Sequence, residues 1–293
     1  MQRALLIAGP TASGKTAYAI ERAKPEGALI INTDSMQVYD VLNALTARPS
    51  ADELAQAEHK LFGHVSPARR YSTGGWLNDV ASLVDDAAAS GRMLIFVGGT
   101  GLYFDALING FAQIPEIPQE VIQEVEAVIQ PMGEAERAAF IAAKDPKMAA
   151  RLQAPDPQRV ARAISVMEAT NRSLADWQDD DNAPSLLEGW SLEKTVLNPE
   201  RDLLRARIAK RFSMMMDGPA MEEVKALLAL NLDPSLPAMR AIGVPELSAV
   251  LQGEMSLDDA TEKAVTATRQ YAKRQRTWFR TRMKDWHWID PFA

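Results

Sequence analysis

Apolar residues in the first hundred positions of this chain gather in short blocks, each ended by glycine or a polar side chain. Ala4 to Ala8 runs straight into Gly9, "ALIINTDS" (28–35) stops at Asp34 and Ser35, and Met93 to Val97 gives way to Gly98-Gly99-Thr100-Gly101. Blocks of this length bounded by turn-formers predict strands buried on both faces. "TAYAIERA" after the first and "LYFDALI" after the third are helix-compatible, so strand, loop and helix recur. That recurrence predicts an α/β fold on a parallel sheet flanked by helices, with ligand-facing loops at the strands' carboxyl ends. From about Gln113 the pattern changes: "EVIQEVEAVI", "GEAERAAFIAAK", "DPKMAARL" and "PQRVARAISVMEATN" have helical spacing with no strand between them. Asp156 and Pro157 suit an N-cap and first helical position. The acidic loop "DWQDDDNAP" (176–184) then precedes "KTVLNPE" (194–200), a candidate strand returning to the sheet. The expected organisation is a core over 1–112, a mostly helical insertion over 113–189, and a return to the core with basic helices over 190–293.

The first loop carries chemistry. Gly9-Pro10-Thr11-Ala12-Ser13-Gly14-Lys15-Thr16 satisfies G-x-x-x-x-G-K-[ST] between a strand and a helix, the nucleotide-binding, ATP-binding signature of a P-loop NTPase-like core. Glycines let backbone N–H groups converge on phosphate oxygens, Lys15 supplies a point charge, and the Thr16 hydroxyl can ligate Mg²⁺. Asp34, at the end of the second strand, has three competing readings: metal ligand, general base, or helix N-cap. In 98–101, glycines permit close backbone approach and Thr100 offers a hydroxyl; a turn needing positive φ would explain the glycines but not Thr100.

Composition narrows the class. The 293 residues are 47% hydrophobic and 24% charged, with no cysteine; that is globular, sized for two domains or one with a large insertion, and excludes disulfides and thiolate chemistry. No stretch approaches the ~20 apolar residues of a membrane span, and the run after Arg3 is too short for a signal-peptide core. A cytoplasmic protein free of membrane is expected, with a monomer as the default. The net charge of −7 opposes indiscriminate nucleic-acid binding, yet residues 269–284 hold Arg269, Lys273, Arg274, Arg276, Arg280, Arg282 and Lys284 and no acid. One concentrated basic segment points to a specific polyanionic partner. Its Tyr271, Trp278 and Phe279 suit either base stacking or core packing; Trp278 and Phe279 are expected to face inward and the arginines outward. Arg159 and Arg162 share a helix face, and Arg201, Arg205, Arg207 and Arg211 recur later. Such clusters either converge on a phosphate backbone or lie on solvated faces. Met214 to Met216 are expected to fill core, and His59, His64 and His287 show no metal-ligand pairing.

Taken in order, "GPTASGKT", "NTDSMQVY", "GGTGLYFDAL", "DPQRVARAISVMEATNRS", "RAIGVPEL" and "TRQYAKRQRTWFR" resemble the tRNA dimethylallyltransferases, the tRNA isopentenyltransferase family. The resemblance implies Mg²⁺-dependent transfer of a dimethylallyl group from dimethylallyl diphosphate to N6 of the adenosine 3′-adjacent to the anticodon, in tRNAs reading codons that begin with U. It implies that Gly9, Pro10, Thr11, Ala12, Ser13, Gly14, Lys15 and Thr16 hold the diphosphate, with Thr16 on the metal and Arg207 or Arg211 as a further contact. It makes Asp34 the general base, with Thr100 and Lys15 beside it. Asp34, Ser35, Met36, Gln37, Thr100, Gln158, Arg159, Val160, Ala161 and Arg162 become tRNA contacts, with the helical insertion closing on the anticodon stem-loop. The chain departs from the common pattern in "DVLNALTARP", which keeps only Thr46-Ala47-Arg48-Pro49, near "EHKLFGHV", where a tandem histidine is replaced, and at Val244, where tyrosine is usual. These differences bear on contacts to neighbouring anticodon bases. Rival readings are a small-molecule or nucleoside P-loop kinase, a prenyltransferase acting on free AMP, and a non-catalytic RNA-binding P-loop protein.

Overall fold

The computed structural model describes residues 1–152, 154–180 and 184–293. They form two compact units, Met1–Ile108 with Leu186–Ala293, and Asn109–Ser185. The first is built on β1 (Arg3–Ala8), α1 (Lys15–Ala23), β2 (Leu29–Asn32), α2 (Ala51–Leu54), β3 (His59–Lys60), α3 (Thr73–Ser90), β4 (Leu94–Gly98) and α4 (Gly101–Asn109). The second contains α5 (Gln119–Ile129), α6 (Glu134–Lys144), α7 (Pro146–Arg151), α8 (Pro157–Thr170) and α9 (Leu174–Asp179). The chain then returns to the first unit through β5 (Ser191–Leu197), α10 (Arg201–Met216), α11 (Ala220–Ala229), α12 (Val244–Leu251), α13 (Leu257–Arg282) and β6 (His287–Ile289).

The six strands form one parallel sheet in the order β3-β2-β4-β1-β5-β6. Alternate residues of a strand face opposite sides, and both sides are covered. Leu5, Ile7, Ile30, Ile95 and Val97 pack with Ala19, Ile20 and Ala23 of α1. Leu6, Ile31 and Phe96 pack with Trp76 and Val80 of α3, Phe104 of α4 and Phe279 of α13. Two-sided burial is why β1, β2 and β4 read as continuous apolar runs. β5 starts at Ser191, ahead of the apolar run at Thr195, because its first half alternates between exposed and partly buried positions. The edge strands β3 and β6 have two and three residues, too short to leave a periodic signal.

Around this sheet α10 to α13 build a second apolar cluster, with Leu204, Ile208, Phe212, Val224, Leu227, Leu247 and Ala272 packed on Val38, Tyr39 and Leu42. The 26-residue α13 serves both clusters. Asp258 and Asp259 in its first turn and Arg280 and Arg282 in its last complement the helix dipole. Phe279 is buried and Trp278 packs partly against the sheet cluster, while Arg269, Lys273 and Arg280 are exposed. Of the three consecutive methionines, Met215 is buried, Met216 half-buried and Met214 63% exposed. At about 100° per residue a helix cannot turn three neighbours inward, so the expectation of core filling fails for Met214. No helix among the described residues is long and apolar enough to cross a membrane.

The helical unit has its own core of Ile117, Val125, Ile129, Ile141, Met148, Val160, Ile164 and Leu174. Asp145 is fully buried there, capping Met148 N (2.9 Å) and accepting from the Ser173 hydroxyl at 2.8 and 2.9 Å. Asp156 caps α8, Oδ1 accepting from the N–H groups of Gln158 and Arg159 at 3.1 Å each. Residues 181–183 of the acidic loop lie outside the described residues.

The glycines after β4 are explained by close approach. Gly98, Gly99 and Gly101 are not among the positive-φ residues, so a left-handed turn does not account for them. A Cβ at Gly98 would overlap the Thr33 carbonyl, one at Gly99 the Gln275 amide, and one at Gly101 the Trp278 ring. Gly98→Ala should therefore lower stability by about 1–3 kcal/mol or more through overpacking, since its obstacle is backbone that cannot rotate away. Gly91→Ala, at a helix C-cap with φ 70° and nothing within 4 Å, should cost only about 1–2 kcal/mol of left-handed strain. Urea midpoints compare the two; an unshifted midpoint for Gly98→Ala would contradict the close-approach account.

Candidate active site

Because β4 lies between β1 and β2, the loops after these three strands open on the same edge of the sheet. The loop after β1 ends at Gly14, the left-handed N-cap of α1 (φ 86°), with no side-chain cap. The first-turn N–H groups of α1 are thus left to an anion. Ala12 is also left-handed, at φ 65°, a conformation costing about 1–2 kcal/mol outside glycine. Gly9 is needed for space, since a Cβ would lie 2.7 Å from Ser13 Oγ and 3.0 Å from the Leu197 carbonyl. Lys15 Nζ donates to the Pro10 carbonyl at 2.8 Å. Burial pushes its ammonium down to about 8, opposed by the Asp34 carboxylate and reinforced by the Arg211 charge.

Asp34 follows β2. Its N–H donates to Asn32 Oδ1 (2.9 Å) and its own Oδ1 accepts from Met36 N (3.0 Å). No helix starts here, so the N-cap reading is replaced by an Asx-type turn. The Asn32 side chain also donates to the carbonyls of Asp34 and Leu61, at 3.0 and 2.9 Å, which fixes the loop from beneath. Thr100 joins this loop to the one after β4: its N–H donates to the Thr33 carbonyl (3.1 Å) and its Oγ1 accepts from Ser35 N (2.9 Å). The Tyr271 hydroxyl bonds to Thr100, and burial, then the Asp34 charge, push that phenol above its ordinary range.

Two arginines one turn apart on α10 complete the loop. Arg207 Nε donates to the Ala12 carbonyl at 3.0 Å, and Arg211 Nη2 to Thr11 Oγ1 at 2.5 Å. Desolvation lowers the Arg211 pKa while the Asp34 carboxylate supports its charge. The sequence left Arg207 and Arg211 as alternatives; the fold brings both to the loop. Arg201 and Arg205 are exposed, the latter 3.5 Å from Asp202. Thr11 to Thr16, Asp34 to Gln37, Arg207 and Arg211 line one cleft of about 750 Å³, together with an apolar wall that includes Leu45, Ile208, Phe212 and Met215.

Several expected contacts are placed differently. Gln37 Nε2 donates to the carbonyls of Thr46 and Ala47, both at 2.9 Å, holding the 43–48 loop. Gln158, Arg159 and Arg162 are exposed on α8, but Val160 (0%) and Ala161 (8%) face the core of the helical unit. Their side chains therefore pack in the apolar stripe and are not presented on the outer face of α8.

Sequence reasoning missed Gln275. It is buried, its Oε1 accepting from Thr11 N and its Nε2 donating to the Gly99 carbonyl, both at 2.9 Å. One side chain thus ties the first loop to the loop of Thr100. The available signal was its place on the buried stripe Thr268-Ala272-Gln275-Phe279, where an amide needs a reason.

Residues 37–282 match the family model described as IPP transferase, and residues 2–64 match the one described as isopentenyl transferase. The tRNA dimethylallyltransferase of Chelativorans sp. (strain BNC1) is 51% identical over 288 residues, covering 98% of each chain. The crystal structure of a full-length tRNA isopentenylpyrophosphate transferase from Bacillus halodurans is 30% identical, with TM-score 0.69, covering 99% of this chain and 90% of that one. A eukaryotic dimethylallyltransferase, described as acting on tRNA, shares the fold at TM-score 0.82 and 23% identity, covering 99% of this chain and 74% of that one.

The Lys15 environment gives a test with a definite sign. Burial disfavours the ammonium, so its proton is lost as pH rises through about 8 instead of 10.5; an anion bound beside it restores the charged form. Binding of an organic diphosphate near pH 8.5 should therefore take up a fraction of a proton, and less near pH 7.5. Calorimetry in buffers of different ionisation heat reads the uptake, and Lys15→Met should abolish it. Buffer-independent heats near pH 8.5 would contradict a depressed Lys15.

Proposed function

The chain belongs to the IPP transferase family, and from that premise we propose how its cleft works. It is a prenyltransferase that modifies tRNA. The donor is dimethylallyl diphosphate and the acceptor N6 of the adenosine 3′-adjacent to the anticodon, in tRNAs reading codons that begin with U. The observation that carries this reading is a carboxylate, Asp34, standing in the same cleft as a phosphate loop flanked by two arginines. Stabilisation of the donor's leaving group and acceptance of the acceptor's proton are thereby gathered in one cleft.

The donor's allylic carbon–oxygen bond breaks as N6 bonds to that carbon. Diphosphate leaves with the bonding pair, and the amine proton passes to Asp34. Negative charge grows on the leaving oxygens, where N–H groups at the start of α1, Lys15, Arg207 and Arg211 would stabilise it; preorganised electrostatics of this kind is commonly the largest catalytic contribution. The apolar wall of Leu45, Ile208, Phe212 and Met215 suits a branched C5 tail better than a ribose. Thr100, held by Ser35 and Tyr271, orients the acceptor beside Asp34.

The Thr16 hydroxyl supplies a hard oxygen donor in the cleft. That suits Mg²⁺, which takes one or two protein ligands and completes its shell with phosphate oxygens and water. When bound it adds charge neutralisation at the diphosphate.

The adenosine must leave the anticodon-loop stack, which costs least in a single-stranded loop. Asp34, Ser35 and Met36 line the pocket it enters. Gln158, Arg159 and Arg162 on α8, and the exposed Arg269, Lys273 and Arg280 on α13, are the proposed backbone contacts. A monomer in the cytoplasm is the setting consistent with that substrate.

Labelled dimethylallyl diphosphate and unmodified tRNA test the reaction through mass analysis of nucleosides. Prenylated adenosine is expected; ATP consumption without it would favour a kinase, modification of free AMP alone an AMP prenyltransferase, and tRNA binding without any transfer a non-catalytic protein. Asp34→Asn keeps an acceptor for Met36 N but removes the base. It should lower single-turnover transfer about 10²–10⁴-fold with tRNA affinity little changed. Full turnover by this variant would remove Asp34 from the proton's path.

A further inference from the structure

Phe292 belongs to none of the residues singled out from the sequence. It is a large apolar ring left 40% exposed, and it is in none of the three core clusters of its unit. Its position is nonetheless fixed from two sides. Phe292 N donates to Asp290 Oδ1 at 3.0 Å, and the other carboxylate oxygen of Asp290 accepts from Glu200 N at 3.1 Å, just before α10. Asn198 N donates to the Ile289 carbonyl at 2.8 Å, fastening the same segment to the end of β5. The chain after β6 is thus tied to the start of the helix that carries Arg207.

There the ring meets the phosphate loop. Its Cζ lies 3.1 Å from where a side chain on Gly14 would begin, and its face lies under the Arg207 guanidinium, 4.1 Å from Cζ to ring centroid. Among the described residues Arg207 makes one hydrogen bond, from Nε to the Ala12 carbonyl. That leaves both terminal nitrogens for an anion, in the fork geometry that suits phosphate oxygens. An exposed arginine otherwise samples many rotamers. Here a carbonyl on one side and an aromatic face on the other select one.

We propose that Phe292 is a positioning residue for the leaving diphosphate, its ring holding the Arg207 guanidinium at the rim of the phosphate loop. The inference rests on the prenyl-transfer reading insofar as the anion is the donor's diphosphate. Phe292 touches no reacting atom; it acts through Arg207, and only on the anionic half of the donor.

Inorganic pyrophosphate, bound in the absence of tRNA, probes the proposal separately from the reaction. Phe292→Ala should weaken pyrophosphate about two- to fivefold, the size of an exposed cation–π contact. The donor KM should rise by a similar factor, with a smaller change in kcat and none in the KM for tRNA. Phe292→Trp should restore affinity, while Phe292→Leu, apolar but without a π face, should not. In an Arg207→Ala background, Phe292→Ala should add no further loss. Equal pyrophosphate affinity for Phe292→Ala and the unaltered protein would overturn the proposal. So would full rescue by leucine, or a loss that persists without Arg207. Failure of the unaltered protein to prenylate tRNA would instead overturn the reaction, and the pyrophosphate measurements would still decide the role of Phe292.

Discussion

The pairing of β4 between β1 and β2 is the constraint on which the site depends. Parallel strands deliver their carboxyl ends to one edge of the sheet, and this order makes the three chemically equipped loops neighbours. Close approach at that edge then dictates composition. Gly98 passes the Thr33 carbonyl, Gly99 the Gln275 amide and Gly101 the Trp278 ring. Hydrogen bonds from Thr100 to Thr33 and from Ser35 to Thr100 set the spacing between the two acceptor-side loops. Gln275 then ties them to the phosphate loop. A sheet register is thereby converted into the placement of one carboxylate relative to three cations.

The charges in the cleft are held together at a cost. Lys15 and Arg211 are both desolvated; the Arg211 charge disfavours the Lys15 ammonium and Arg207 that of Arg211, while Asp34 partly compensates both. Buried like charges persist only where something opposes them. In the proposed reaction a diphosphate supplies that opposition, and more of it as the allylic carbon–oxygen bond breaks and charge accumulates on the departing oxygens. Interactions that strengthen along the reaction are those that accelerate it.

How much of this was legible beforehand follows from the kind of signal each feature leaves. The strands β1, β2 and β4 are buried on both faces and announce themselves as apolar runs; β5 does so only from Thr195 to Leu197. The phosphate loop is a local motif, and Asp156 with Pro157 marks the start of α8. Edge strands of two or three residues carry no period to detect. Arg207 and Arg211 both reach the loop because they are one turn apart on α10, but only the fold shows which face that is. Val160 and Ala161 sit among exposed neighbours in sequence, yet they belong to the inward stripe of α8. Gln275 was hidden by the cationic residues around it, and Phe292 by its distance along the chain from Gly14.

Ala12 holds a left-handed backbone although nothing in its side chain favours one. Its neighbours impose that shape: Arg207 grips its carbonyl, and Gln275 grips the preceding Thr11. A mould finished before its guest arrives spends no binding energy on setting itself. Two fixed grips on adjacent backbone groups therefore leave less of the loop for a bound anion to order.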